Sequence, residues 1–354
     1  MTRTRNSDGP ALLETFLVAG VASFLGIRWF LAVTGYPRVG GGGLHVAHML
    51  WGGLLMLVAL GMLAVFLDRS VQHLAAVVAG LGFGTFIDEI GKFLTSDNDY
   101  FFRPAVALVY VIFVATFLAG RAVVARRPLS SRESLANALD MLEEHIDRPV
   151  SVGDRARIHA LLDRVDGSPA PAGTGGTEPG RPGATSLARD IRRHLDGLPE
   201  TIDRHGRWEA LPARLAAAYE RLAGAPWFDR ALVAGVVAYT AAAVVGVLAL
   251  ALSSPPVGGP ETWSVSQFGE AASTLAGAAL VLRGVVALPG GRAAAYHWFM
   301  RGLLVWILVT QVFVFYTSQL AGIGGLAVDL AAYVSLRLAI AAERPARVGA
   351  PATA

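Results

Sequence analysis

An all-α, polytopic membrane bundle of about eight transmembrane helices is the fold class this sequence predicts, on three observations. Hydrophobic residues make up 54% of the 354 residues and charged residues only 16%, with a mean hydropathy of +0.50. Several stretches run to about 20 apolar residues, long enough for a helix to cross a hydrocarbon core about 30 Å thick. The arginines gather in alternate loops, as they do in chains that cross a bilayer repeatedly. A helix is the default spanning form because it satisfies its own backbone polar groups.

The first span is expected at Ala11–Val33, after the short basic start MTRTRNSDGP. It is longer than a signal-peptide core and carries Glu14 and Arg28, so it reads as a retained helix. The second runs from His45 to Leu67, the third from Val71 to Leu94 and the fourth from Pro104 to Ala125. Four more follow a polar stretch, at Asp229–Leu252, Phe268–Leu288, Ala294–Tyr316 and Leu320–Ile340. In an eight-helix model Arg3, Arg5, Arg69, Arg121, Arg126, Arg127, Arg292, Arg344 and Arg347 all fall on one side, and loops such as SSPPVGGPETW on the other carry few cations. The positive-inside rule then places both termini in the cytoplasm, with the protein in a bacterial inner membrane.

Four regions result: a membrane half at 1–125, a small cytoplasmic helical insert at 126–226, a second membrane half at 227–342 and a disordered tail at 343–354. SSRESLANALDMLEEHID opens on a capping-box pattern, Ser130 to Glu133, and spaces Leu135, Leu139, Leu142 and Ile146 as a helix would. DRARIHALLDRV, LARDIRRHLDGL and ALPARLAAAYERLAG read as further helices, around a disordered Gly/Pro-rich linker near 167–186. The insert is a docking or dimerising element, for a homo-oligomer or a protein partner. The net charge of +3 and the pI of 9.4 invite a nucleic-acid reading. The insert balances its arginines with acids, however, so the lipid bilayer is the expected partner and nucleic acid is not. Without cysteine the chain forms no disulfide, thiolate zinc site, Cys-ligated iron–sulfur cluster or c-type haem.

Sliding the chain against itself by 222 residues (302 − 80) lays Gly80–Asp97 on Gly302–Gln319 without a gap, with Gly, Leu, Phe, Thr and Ser coinciding. A duplication would make the halves two parallel four-helix repeats. Coincidence between Gly/Leu-rich helices gives the same matches, and both readings stand. On this alignment Asp88, Glu89 and Lys92 fall over Thr310, Gln311 and Val314, so an active half would be the first.

The polar residues at membrane depth carry the functional question. Lys92 is the chain's only lysine, and Asp88 and Glu89 precede it at i, i+4 and i, i+3. Gly80 and Gly84 extend that face and let another helix approach closely. Spans two and three should form an antiparallel hairpin about residue 69. His48 lies about 21 residues back and Glu89 about 20 forward, at similar depth for a rise of 1.5 Å per residue. His45 and His48 share one face, and Arg28, Asp97, Asp99 and Arg103 approach the same level. A charged pocket opening to the extracytoplasmic side follows. Elsewhere Asp329, in the eighth span, is expected to pair with Arg337 or Arg301.

Three readings of the pocket stand beside one another. An ion- or proton-coupled transporter or permease would use Asp88, Glu89, Lys92, His48 and Arg28 as a ligand or proton site. An extracytoplasmic-facing metal-dependent membrane enzyme would bind a divalent metal through His45, His48, Asp88 and Glu89. In a membrane sensor or scaffold the buried charges would only fix helix registry. The stretches HVAHMLWGGLLMLVAL and GFGTFIDEIGKFLTSDNDYFFRP resemble a pattern in uncharacterised bacterial multi-pass membrane proteins. That resemblance covers spans two to four and implies a membrane fold and this choice of site, with no activity attached. Transport is the reading preferred.

Overall fold

In a computed structural model, residues 4–35, 47–95, 102, 104–125, 128–146, 149–166, 182–201, 221, 227–253 and 263–343 are described. Among them seven segments are long and apolar enough to cross a membrane, which makes the chain a multi-pass membrane protein. The helices are α1 (Gly9–Thr34), α2 (His48–Val65), α3 (Arg69–Ile87), α4 (Ile90–Leu94), α5 (Pro104–Ala125), α6 (Ser131–Glu143), α7 (Val152–Asp166) and α8 (Pro182–Gly197). They continue with α9 (Phe228–Ser253), α10 (Val265–Ala287), α11 (Arg292–Val305), α12 (Gln311–Ser318) and α13 (Ile323–Glu343). Outward-facing Leu54, Leu57 and Leu60 on α2 give it the lipid-exposed surface that a soluble helix would bury.

The chain forms two compact units, residues 1–89 with 115–206, and residues 90–114 with 207–354. In the first, α3 packs against both α1 and α2, and small residues set the approach. A methyl group on Gly52 of α2 would lie 2.6 Å from the Gly82 carbonyl oxygen of α3, and one on Gly82 would lie 2.7 Å from the Gly52 carbonyl oxygen. On the other side of α3, Gly80 and Gly84 lie against the α1 backbone at Phe16 and Gly20. Without a hydrophobic drive between helices in lipid, such backbone contact supplies the packing energy. Ser23 of α1 adds a cross-helix bond, its hydroxyl donating to the Leu81 carbonyl at 2.9 Å.

At the opposite end of α1 the chain is tied to the polar insert. Arg5 binds Glu133 through its backbone N–H and its guanidinium, with Nε–Oε1 at 2.8 Å. The Ser7 N–H donates to Asn137 Oδ1 at 2.7 Å, and Arg69, at the start of α3, pairs with Asp8. The Ser130–Glu133 capping box forms as its sequence predicts. The insert's core joins Ala138 and Met141 of α6 to Ile158 and Leu162 of α7 and Ile191 and Leu195 of α8. β1 (Val150–Ser151) pairs in parallel with β2 (Glu200–Thr201) alongside it.

Several expectations change. Leu139 of α6 is exposed, because the small Ala138 and the flexible Met141 make the contact with α7 and α8, and Ile146, also exposed, lies beyond the end of α6 at Glu143. Residues 182–186 belong to α8, whose first residue is Pro182, a position where a missing N–H costs nothing; the rest of the predicted linker lies outside the described residues. So do residues 344–354 of the tail and ALPARLAAAYERLAG, apart from Arg221. The third span does not continue to Leu94: α3 stops at Ile87, and α4 begins after a turn at Asp88–Glu89.

In the second unit the last apolar segment, Arg292–Ile340, is 49 residues long and is interrupted twice. Trp306–Thr310 is a π-helical turn, and Gln319, at φ 49°, opens a 3-10 turn before α13. Tyr296, Phe299 and Leu303 of α11 share a buried core with Leu336 and Ala339 of α13 and Val236 of α9. Gly277 of α10 meets Gly302 of α11 backbone to backbone. Val106 and Ala107 of α5 pack with Phe315 of α12.

Candidate functional site

The glycine contacts that hold α1, α2 and α3 together also determine which side chains meet at the end of the bundle. Asp88 is one turn beyond Gly84, His48 one turn before Gly52, and Arg28 two turns beyond Gly20, so each lies on the face that its glycine turns inward. All three helices end at that level: α1 finishes at Thr34, α2 begins at His48 and α3 finishes at Ile87.

Four ionisable side chains converge there. The Arg28 guanidinium pairs through Nε with Asp88 Oδ1, and its Nη2 donates to the Asp88 backbone carbonyl at 3.1 Å. That second bond lies at the turn between α3 and α4, where Asp88 keeps helical backbone angles, φ −60° and ψ −31°. The Phe24 ring lies beside the same guanidinium, with Cζ 5.4 Å from its centroid.

His48 bridges the two acids. Its Nε2 lies 3.0 Å from Asp88 Oδ2 and its Nδ1 lies 2.8 Å from Glu89 Oε1. Asp88 and Glu89 are 0% and 1% exposed and Arg28 8%, whereas the His48 side chain is 27% exposed. The imidazole is therefore the member of the cluster that solvent or headgroups reach.

A neutral imidazole has one N–H and one lone pair, and an ionised carboxylate only accepts, so hydrogen bonds on both sides of the ring would require one proton beyond neutral His48 and two carboxylates. With that proton on the ring or on a carboxyl, the four groups would sum to zero charge.

The structure thus brings together Arg28, His48, Asp88 and Glu89. Lys92 lies half-buried on α4, just beyond the turn at Asp88–Glu89. His45, Asp97, Asp99 and Arg103 lie outside the described residues. Among the described residues no group of three or more His, Asp or Glu side chains is spaced to hold a metal ion. In the second unit Asp329 is not paired with Arg301 or Arg337 among the described residues. Arg301 stacks on Trp298 at 4.5 Å, and Tyr239 supplies the hydrogen bond to Asp329. The role of Arg28 as direct partner of Asp88 follows from its spacing to Gly20, a signal that depth counting alone does not use. Comparison with protein-family models, curated proteins and solved structures gave no match.

Proposed function

We propose that this multi-pass membrane protein is a proton-coupled transporter, and that His48 exchanges the coupling proton with Asp88 and Glu89. The observation that carries this reading is the imidazole with a carboxylate on each ring nitrogen, 3.0 and 2.8 Å away. Such a cluster needs one exchangeable proton to keep both bonds. Losing it leaves a net negative charge on two buried carboxyls, so proton exchange is tied to rearrangement of the helices that carry the charges. Histidine suits the task because its charge changes near physiological pH.

The same proposal takes the membrane topology as eight spans with both termini in the cytoplasm, the last apolar segment forming two. Its support is that α11 and α13 share one buried core across the turn at Gln319. The halves are taken as parallel repeats. At the 222-residue offset, the π-helical turn at Trp306–Thr310 falls on residues 84–88, where α3 closes. A second reading, a sensor or scaffold with structural charges, is favoured by the neutral sum of the cluster and by the insert tied to the N-terminal end of α1.

Proton uptake into liposomes under an imposed membrane potential separates the two. Wild-type protein is expected to give uptake that His48→Gln and Glu89→Gln reduce at least about tenfold, the scale of losing one proton-transfer group. Unchanged uptake in well-folded His48→Gln protein would refute the assignment.

A further inference from the structure

Asp329 is an acid in the second unit that the quartet does not use. It lies in the first half of α13, is 3% exposed, and its Oδ1 has no hydrogen-bond partner among the described residues. The groups facing it are two phenols. Tyr239 of α9 is hydrogen-bonded to the carboxyl, and Tyr110 of α5 lies within electrostatic reach. The Tyr110 hydroxyl donates to the carbonyl of Ile307, inside the π-helical turn, so its proton is directed away from Asp329. No arginine, lysine or histidine forms an ion pair with Asp329 among the described residues. Arg337, on the same helix, is exposed, and Arg301 stacks on Trp298.

An ionised carboxylate at membrane depth is stable only beside a cation or several donors. One phenol supplies a single donor, and the other oxygen lacks any. Adding a proton removes the charge and converts an acceptor into a hydroxyl. We infer that Asp329 is a second proton-binding site, separate from the Arg28–His48–Asp88–Glu89 cluster, which carries its proton on the carboxyl in the resting protein. The ligand class is the proton itself, and the site is built by one acid between two tyrosines. This inference does not rest on the transport reading, since it is measured without any flux.

Infrared spectroscopy of the protein in lipid bilayers at neutral pH tests it. The expected result is a deuterium-sensitive carbonyl band of a protonated carboxyl, with the intensity of one group per chain, that Asp329→Asn abolishes. A spectrum in which folded Asp329→Asn keeps every such band overturns the inference. If that variant does not fold, wild-type protein treated with an apolar carbodiimide, which adds to protonated carboxyls, gives the answer by peptide mass. Labelling of Asp329 that declines as pH is raised supports the site. Absence of label on Asp329 from acid to neutral pH overturns it.

Discussion

Arg28 and Asp88 show how far a single residue's role depends on neighbours that the sequence does not reveal. Both are buried, and the guanidinium serves the Asp88 side chain and its backbone carbonyl together. Removing one partner of a buried pair leaves an uncompensated charge, at a cost of about 3–5 kcal/mol. Arg28→Met is therefore expected to destabilise the protein in detergent by that amount. Arg28→Met with Asp88→Leu should recover most of the loss, because apolar groups of similar size replace the pair without leaving a charge behind. Equal destabilisation of the single and double variants, followed by chemical denaturation, would count against a charge-pair origin.

At the scale of elements, α3 is the organiser. Its glycines alternate between two neighbours, Gly82 toward α2 and Gly80 and Gly84 toward α1. Overpacking such a contact typically costs about 1–3 kcal/mol and shifts backbone. Gly52→Val is expected to push α2 from α3 and lengthen the His48–Asp88 bond, lowering thermal stability together with proton uptake. Gly53→Val, a position where an added methyl group meets nothing within 4 Å, is the control and should leave both unchanged. The small-residue face was readable from the sequence because glycine spacing on a helix is a local property. The stop at Ile87 and the π-helical turn at Trp306 were not; groups on other helices meet the backbone there, the Arg28 guanidinium at the Asp88 carbonyl and the Tyr110 hydroxyl at the Ile307 carbonyl.

Within the first unit of the molecule, the N-terminal segment links the membrane helices to the insert through Arg5, Ser7 and Asp8. Hydrogen bonds from the Arg5 side chain, helped by the Ser130 backbone, hold the Glu133 carboxyl well below the usual carboxylate range. A carboxyl whose value is depressed in the folded state contributes stability that is present above its unfolded value, near 4.3 for glutamate, and lost as pH falls toward the depressed one. Acidification below about pH 4 should thus release this latch. In hydrogen exchange, the Ser7 amide is expected to lose protection over that range in wild-type protein. In Glu133→Gln its protection should be weak at every pH. A Ser7 amide equally protected in both proteins would place the hold elsewhere, at Asn137 or Asp8.

The sequence by itself determined that this chain crosses a membrane many times, because apolar run length and arginine placement are sums over local composition. It also fixed the capping box of α6, whose partners are three residues apart, and the common depth of His48, Asp88 and Glu89, which a constant rise per residue makes countable. Tertiary structure decided the rest: that Arg28 holds Asp88, that one imidazole bridges two acids, and that Asp329 faces tyrosines instead of arginines. Those outcomes depend on which helix faces meet. Backbone contact at a few glycines selects the faces, and the energy of that contact exists only once separate helices are side by side.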